Sequence, residues 1–269
     1  MYVDSDEVKA LQRQVFKANE LIQKSRFNLS LQQQKIILYL ISKIQPQDDE
    51  LKLYEFNIAD FCRTCGIDIH SGSNYQNLKS SIKEIADKSI WVELADGKQT
   101  LLRWVEKAYI EPNNGTIQIK LDNDMIPFLL NLKKNFTSYE LIYITNMSSR
   151  FSIRLFELVH SIHYHELEEY QREFDLDELR KLLGAEHYTK WINFRQRVLD
   201  PAIKEINKHS DKNIIMEPIK KGNTIVKVRL IITTKDTFEA LKIKDEIMKS
   251  LGYVQETLWD ELESRGMIQ

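Results

Sequence analysis

The amino-acid sequence predicts a helix-rich α+β fold that consists of two tandem copies of one unit. In each copy the order of elements is helix, short helix, turn, longer helix and β-hairpin, which is a helix-turn-helix followed by a wing. Residues at one constant offset support the duplication, and they are Phe56, Ile58, Phe61 and Gly66 in the first copy and Phe174, Leu176, Leu179 and Gly184 in the second. The scarcity of glycine (8) and proline (5) in 269 residues excludes turn-dense all-β architectures. We therefore expect two tandem winged-helix domains.

The first copy begins with two helical patterns. We expect one helix from about Glu7 to Ile22 and another from Ser30 to about Ile44, because Ser30 and Gln33 form a capping box. The other elements predicted in this copy are a strand at 51–54, a short helix at 58–65 between Asn57 and Gly66, a helix at 74–88, and strands at 100–111 and 116–121 around a turn at 112–115.

The second copy repeats this order. Residues 137–140 resemble another capping box, followed by one or two helices within 141–163. The later elements are a short helix from Asp175 that Gly184 ends, a long helix at 188–209, and a hairpin formed by 214–219 and 224–233. We place domain 1, for dimerisation and auxiliary DNA contact, at 8–132, and domain 2, for the main DNA contact, at 133–250. A C-terminal tail occupies 251–269.

The overall net charge of −2 conceals a polarised second copy. Residues 190–229 contain ten basic and four acidic residues, a local net charge of +6. Such a stretch on a helix-turn-helix and its wing favours nucleic-acid binding, because neutralised phosphates supply affinity. The alternative is an ordinary solvated surface. The motifs G-x-G-x-x-G and G-x-x-x-x-G-K-[ST] do not occur, which excludes these two nucleotide-binding loops.

The long helix of the second copy has an apolar stripe at helical spacing, formed by Trp191, Phe194, Val198, Ala202 and Ile206. The rest of that helix and the hairpin supply the candidate DNA-binding residues, which are Lys190, Asn193, Arg195, Arg197, Lys204, Lys208, Lys220, Lys221, Lys227 and Arg229. Arginine binds guanine and asparagine binds adenine in the major groove, so Asn207 is a further candidate. We expect Arg195 nearer the apolar side and a kink at Pro201.

The corresponding helix of the first copy has a mixed face. Its candidate DNA-binding residues are Lys79, Ser80 and Lys83, which alternate with Glu84 and Asp87. This composition predicts weaker DNA contact, contact with the backbone only, or a role in self-association. An ordinary surface explains it equally well.

Three ordered motifs resemble those of the theta-type plasmid replication initiators, which bind iterons. The motifs are Asn19–Ile22 with 25–30, then 136–139 with Ser149 and 152–158, and finally 194–207 with 217–222. The resemblance extends over residues 19–232.

The resemblance implies two winged-helix domains that bind double-stranded DNA. Monomers would bind tandem iterons and help to open the origin, and dimers formed through the first domain would bind an operator inverted repeat and repress the initiator's own gene. The family implies recruitment of the host replication initiator and helicase, without nuclease or ATPase activity. Its base-contacting arginines correspond to Arg195 and Arg197, whereas Gln196 replaces a residue that is often basic.

Three other functions are weighed against this one. A rolling-circle nickase would use His163 and His165 as metal ligands and Tyr170 or Tyr188 as nucleophile, but acidic residues surround the histidines. A zinc site would use the residues Cys62, Cys65 and His70, which do not supply the usual four ligands. A winged-helix transcriptional regulator without an initiator role is the third.

We expect no catalytic residues, metal or cofactor. The N-terminal residues 1–16 resemble neither a signal peptide nor a transit peptide, and no apolar run is long enough to span a membrane. A cytoplasmic location without membrane contact is the expectation.

Overall fold

Each half of the chain contains a three-stranded sheet that includes a wing, and the described residues form a further three-stranded sheet and a two-stranded sheet. The computed structural model describes residues 11–45, 48–64, 74–94, 96–111, 115–162 and 169–253. The strands are β1 Gln14–Ala18, β2 Ser25–Arg26, β3 Leu53–Asn57, β4 Ser89–Glu93, β5 Gln99–Arg103, β6 Val105–Glu111, β7 Thr116–Leu121, β8 Phe136–Glu140, β9 Glu169–Asp175, β10 Lys212–Lys221 and β11 Thr224–Thr234. The helices are α1 Asn19–Gln23, α2 Leu31–Ser42, α3 Ile58–Thr64, α4 Asn74–Asp87, α5 Ile126–Leu129, α6 Ile142–Thr145, α7 Arg150–Ser161, α8 Leu176–Leu183, α9 Trp191–Phe194, α10 Asp200–His209 and α11 Thr237–Ser250.

Both halves contain a helix-turn-helix followed by a wing, as predicted. In the first half α3 and α4 precede the wing strands β6 and β7, which form a sheet of order β3-β7-β6 with β3. In the second half α8, α9 and α10 precede the wing strands β10 and β11, which form a sheet of order β10-β11-β9 with β9. The register shows the duplication directly, because Phe56 lies opposite Ile117 and Phe174 lies opposite Val228. All four side chains are buried, so the matching residues of the two copies occupy equivalent core positions.

Local sequence determines several helix ends as predicted. At the start of α2 the Ser30 hydroxyl accepts the N–H of Gln33, and the Gln33 side chain accepts the N–H of Ser30. Asn57 caps α3 by accepting a backbone N–H at 2.8 Å. Gly184 ends α8 in the left-handed region at a φ of 63°, where an L-residue with a side chain is strained.

Two stretches that the sequence predicts to be helical form strands instead. Gln14–Ala18, in the middle of the first predicted helix, form the strand β1, whereas the last residues of that prediction lie in α1. The second predicted capping box lies in the strand β8, which pairs antiparallel with β1. The Thr137 hydroxyl donates to Asn19 at 2.6 Å and does not cap a helix. The cap of α7 is instead Ser149, whose hydroxyl accepts a backbone N–H. Pairing between distant segments outweighed a local helical pattern, because it satisfies the same backbone groups and buries Val15.

The first half contains a hairpin that has no counterpart among the described residues of the second. Strands β4 and β5 lie between α4 and the wing and form a separate sheet of order β2-β4-β5. The predicted strand at 100–111 is therefore divided into β5 and β6, with buried Trp104 between them. On the outer face Trp91 and Leu101 lie directly opposite each other, and they are 53% and 50% exposed.

Helix α7 joins the two halves. The Arg154 guanidinium donates to the carbonyl of Ile22 at 3.2 Å and to the carbonyl of Leu182 at 3.1 Å. It also lies over the Phe27 ring, with its carbon 4.3 Å from the ring centre. Ile22 and Phe27 precede the predicted boundary at 132 and Leu182 follows it, so the two halves share a packed interface. The boundary itself stays a prediction.

Several predicted features lie outside the described residues. They are the start of the first helix at Glu7, the residues Cys65, Gly66 and His70, most of the turn at 112–115, the residues His163 and His165, and the tail from 254 onward. Within the described ranges, no helix has the length and apolar character needed to cross a membrane.

Candidate nucleic-acid interface

The long helix of the second helix-turn-helix is held by a fully buried face. The apolar stripe predicted from the sequence is observed, and Phe194, Val198, Ala202 and Ile206 are completely buried. Trp191 is partly buried at the start of α9. The opposite face of this helix is therefore fixed toward solvent.

A π turn at Arg195–Leu199 separates α9 from α10, just before Pro201. Proline has no N–H to donate to the carbonyl four residues earlier, and here the N–H of Asp200 donates to the carbonyl of Arg195. The additional residue in this turn places both Val198 and Leu199 in the core. The π turn thus lies directly before the predicted kink at Pro201, and the kink itself stays a prediction.

Two polar side chains of α10 fix this helix against the rest of the domain. Glu205 accepts the backbone N–H groups of Ser148 and Ser149, at 3.2 and 3.3 Å, at the start of α7. Asn207 both donates to and accepts from the backbone of Ile214, at 3.0 and 2.8 Å. The Asn207 amide is thus occupied inside the domain, which corrects its interpretation as an adenine-binding residue.

Buried Lys235 stabilises the C-terminal end of the same helix. Its ammonium donates to the carbonyl of Asn207 and, at 2.9 Å, to the carbonyl of Ser210. A positive charge is favourable at a helix C-terminus. Burial lowers the pKa of Lys235, and nearby Glu239 and Asp211 partly oppose this effect. The orientation of α10 relative to the wing therefore depends on Asn207, Ser210 and Lys235.

Four exposed cations form what we call the basic helix face, namely Lys190, Arg197, Lys204 and Lys208. None of the four makes an ion pair with a residue in the described ranges. Asn193 lies beside them and is partly exposed. These side chains are available for an external anion.

Arg195 differs from the other candidates. Expected nearer the apolar side, it is exposed, and its Nε lies 3.2 Å from Asp200 on the next turn. The side chains of both residues are nearly half exposed, so this pair contributes little to stability. The carboxylate instead orients the guanidinium along the helix.

The wing offers two kinds of cation. Lys220 and Lys221 are exposed at its tip, beside the turn of the hairpin. Arg229 lies between two carboxylates on neighbouring strands, 2.8 Å from Glu173 and 3.3 Å from Glu217. These carboxylates raise the pKa of Arg229 and neutralise its charge. Lys227 lies 3.8 Å from Glu173, so the positive charge of the wing is concentrated at its tip.

The candidates of the first half are exposed on α4 but are only partly available. Lys83 forms an ion pair with Asp87 at 2.7 Å, which raises the pKa of Lys83. Ser80 lies 3.5 Å from Glu84. Lys79 has no ion pair with a described residue. This face is much less positive than the basic helix face.

Comparison with known protein families assigns both halves. The model described as "Initiator Replication protein, WH1" matches residues 14–160, and the model "Initiator Rep protein, WH2" matches residues 175–232. The first match alone covers more than half of the chain. The chain belongs to the Rep family of replication initiators. Its two winged-helix domains are those of this family, which confirms the predicted fold class and the family resemblance.

A solved structure resembles the initiator in fold, and a second one matches it less well. A crystal structure of the Pi initiator protein in complex with iteron DNA is 19% identical, covers 84% of this chain and 99% of its own, and superposes with a TM-score of 0.71. A crystal structure of domains 2 and 3 of RctB is 11% identical, covers 77% of this chain and 81% of its own, and has a TM-score of 0.47.

An exposed apolar residue of α9 is absent from the DNA-binding candidates that the sequence predicts. Ile192 lies on α9 between Trp191 and Asn193, and its side chain is 50% exposed. Its position outside the apolar stripe could have identified it, because isoleucine is usually buried. Charged and amide side chains are the usual hydrogen-bonding groups toward DNA, and Ile192 is neither, so the charge pattern does not identify it.

The residues of the nickase and zinc alternatives are only partly described. Tyr170 is buried, and its hydroxyl donates to the carbonyl of Val159 at 2.9 Å, which is a structural role. Tyr188 packs edge-on against Phe151. Cys62 is a buried free thiol whose pKa is raised by burial. Among the described residues, no three His, Cys, Asp or Glu side chains are grouped as metal ligands.

Proposed function

We propose that the initiator binds iteron repeats of a plasmid replication origin, with α9 and α10 in the major groove. The observation on which the proposal depends is the basic helix face. Its four exposed cations have no acidic partner among the described residues, and they lie on a helix held by its buried face. The Pi initiator, with the same fold, is a protein whose structure contains iteron DNA. An α-helix fits the major groove, where arginine can donate to guanine O6 and N7.

In this arrangement the helix and the wing have different tasks. Arg197, with Asn193 beside it, contacts base edges and determines sequence preference. Lys220 and Lys221 at the wing tip bind phosphates, which adds affinity that depends on salt but not on sequence. Lys79 of the first half contributes a further backbone contact.

The test compares two single substitutions by footprinting and by equilibrium binding. Arg197→Ala should cost about 1–3 kcal/mol on the specific site and relax the preference at one base position. Lys221→Ala should weaken binding to all sequences similarly and reduce the slope of log K against log salt by about one. Lys98→Ala, an exposed lysine in the β4–β5 turn, serves as the control. Equal and sequence-independent losses in both variants would contradict the assignment.

We further propose that two copies associate through the first half, and that the dimer binds an operator inverted repeat and represses the initiator's own gene. The support is the apolar pair Trp91 and Leu101, half exposed on a sheet whose edge strand is β5. Duplex opening and recruitment of the host initiator and helicase belong to the same proposal and rest on family membership. The protein would act in the cytoplasm, where its DNA target lies, by binding and without catalysis.

Replacing Trp91 tests the dimer. Trp91→Glu places a charge in the apolar pair, so we expect a shift from dimer toward monomer in sedimentation velocity, with binding to a single repeat retained. The control Tyr109→Glu changes an aromatic residue of similar exposure on β6, in a different sheet. An unchanged association constant for the Trp91 variant would show that the dimer uses another surface.

A further inference from the structure

Ile192 is an exposed apolar side chain on the helix that we place in the major groove. On the same helix Trp191 is partly buried and Phe194 is fully buried. These two side chains already supply the apolar contacts between α9 and the core. The side chain of Ile192 is 50% exposed, and it contributes little to the core. Folding therefore does not explain an isoleucine at this position.

The neighbours of Ile192 on the helix surface are polar groups suited to DNA. Arg195 and Gln196 follow Ile192 by three and four positions and open the π turn that continues α9. Both are exposed, and Arg195 is oriented by Asp200. Glutamine can pair with adenine N6 and N7, so an apolar group beside Gln196 is adjacent to a group that favours an A·T pair.

We propose that Ile192 contacts the C5-methyl group of a thymine in the major groove and thereby contributes to the choice of sequence. Thymine is the base that presents a methyl group there, and this group pairs favourably with an apolar side chain. The inference rests on the proposed binding of α9 and α10 in the major groove. It adds a selectivity that the charged residues do not supply, since cations favour guanine or the phosphates.

The expected effect follows from the size of one methyl group. Burial of a methyl or methylene group is worth roughly a fourfold change in affinity, and good packing of the whole side chain raises this to about tenfold. A single thymine replaced by deoxyuridine loses only the methyl group and keeps every hydrogen-bonding group of the base pair. Deoxyuridine scanning of a duplex therefore isolates the proposed contact.

The experiment uses a duplex selected by this protein from a random library, with its thymines replaced by deoxyuridine one at a time. For the unchanged protein we expect a loss of about four- to tenfold at one position. Ile192→Ala should show a similar loss on the all-thymine duplex and no further loss when that thymine is replaced. Ile215→Ala is the matched control, because Ile215 is 62% exposed on β10, outside the helix.

The outcomes separate this inference from the function on which it rests. Selection of a specific duplex that binds equally well with every thymine replaced would overturn the role of Ile192 and leave the proposed function intact. Persistent deoxyuridine sensitivity in Ile192→Ala would do the same. Failure to select any sequence would instead contradict sequence-specific binding. Thermal unfolding of both variants should match that of the unchanged protein, because both side chains are exposed.

Discussion

Replacing Glu157 with alanine is expected to lower the free energy of unfolding by about 3–5 kcal/mol. Glu157 is buried on α7, 2.6 Å from the ammonium of Lys17 and 3.6 Å from the guanidinium of Arg154, both of which are also buried. The Tyr139 hydroxyl donates to the same carboxylate at 2.9 Å. Removing the carboxylate would leave two cations without their counter-charge inside the protein, and this uncompensated charge is the source of the cost.

The stability that Glu157 contributes should also depend on pH. Burial acts to raise the pKa of Glu157, but Lys17 and Arg154 outweigh it and hold this pKa below its usual range. A carboxyl group with a lowered pKa stabilises the fold above its unfolded-state pKa, near 4.3, and this contribution is lost as the pH falls through the folded-state value. The stability difference between the unchanged protein and Glu157→Ala should therefore narrow below about pH 4.

Urea unfolding measures both effects. The control is Glu246→Ala on α11, which removes an exposed glutamate and should change stability by no more than about 0.5 kcal/mol. If Glu157→Ala changed the free energy of unfolding no more than this control does, the buried cluster would contribute no net stability to the interface between the halves.

Replacing Phe194 with alanine is expected to cost about 3–5 kcal/mol and to abolish specific DNA binding. The ring is completely buried in the helix-turn-helix of the second half, and the guanidinium carbon of Arg180 lies 5.3 Å from its centre. The substitution leaves a cavity under the first turn of the helix that carries the basic helix face. The exposed side chains would then lose their fixed positions relative to the wing.

Ile192→Ala on the same short helix is the matched control. It removes an exposed apolar side chain two residues away and should alter the free energy of unfolding by no more than about 0.5 kcal/mol. Urea unfolding is measured for both variants. Binding to the specific site is measured for Phe194→Ala beside Lys98→Ala, because Ile192 is itself a proposed DNA contact. Equal stabilities of the two variants would contradict the observed division of α9 into a buried and an exposed face.

Helix ends and amphipathic faces are predictable from the sequence because they depend on residues three or four positions apart. The capping box of Ser30, the left-handed end at Gly184 and the buried stripe from Phe194 to Ile206 are all found where the pattern predicts them. The position of Leu199 was not predictable in this way, since the π turn before Pro201 alters the periodicity.

The candidate DNA-binding residues also include some features that local sequence predicts and others that depend on the tertiary structure. The sequence identifies which cations occupy the helix and wing of the second half, and the exposed positions of Arg197, Lys204 and Lys221 agree with it. Contact of these residues with DNA stays a prediction. The sequence does not show that Arg229 is neutralised by carboxylates on two other strands, because the register that joins them forms only in the sheet.

The sequence by itself determined the duplicated winged-helix plan, the family and the polarity of charge in the second half. Tertiary structure alone decided that β1 pairs with β8, that Lys17 and Glu157 meet in the core, and that Asn207 holds the wing instead of facing DNA. The reason is physical. Local patterns fix backbone conformation over one or two turns, whereas strand pairing and buried ion pairs depend on the simultaneous position of segments far apart in the chain.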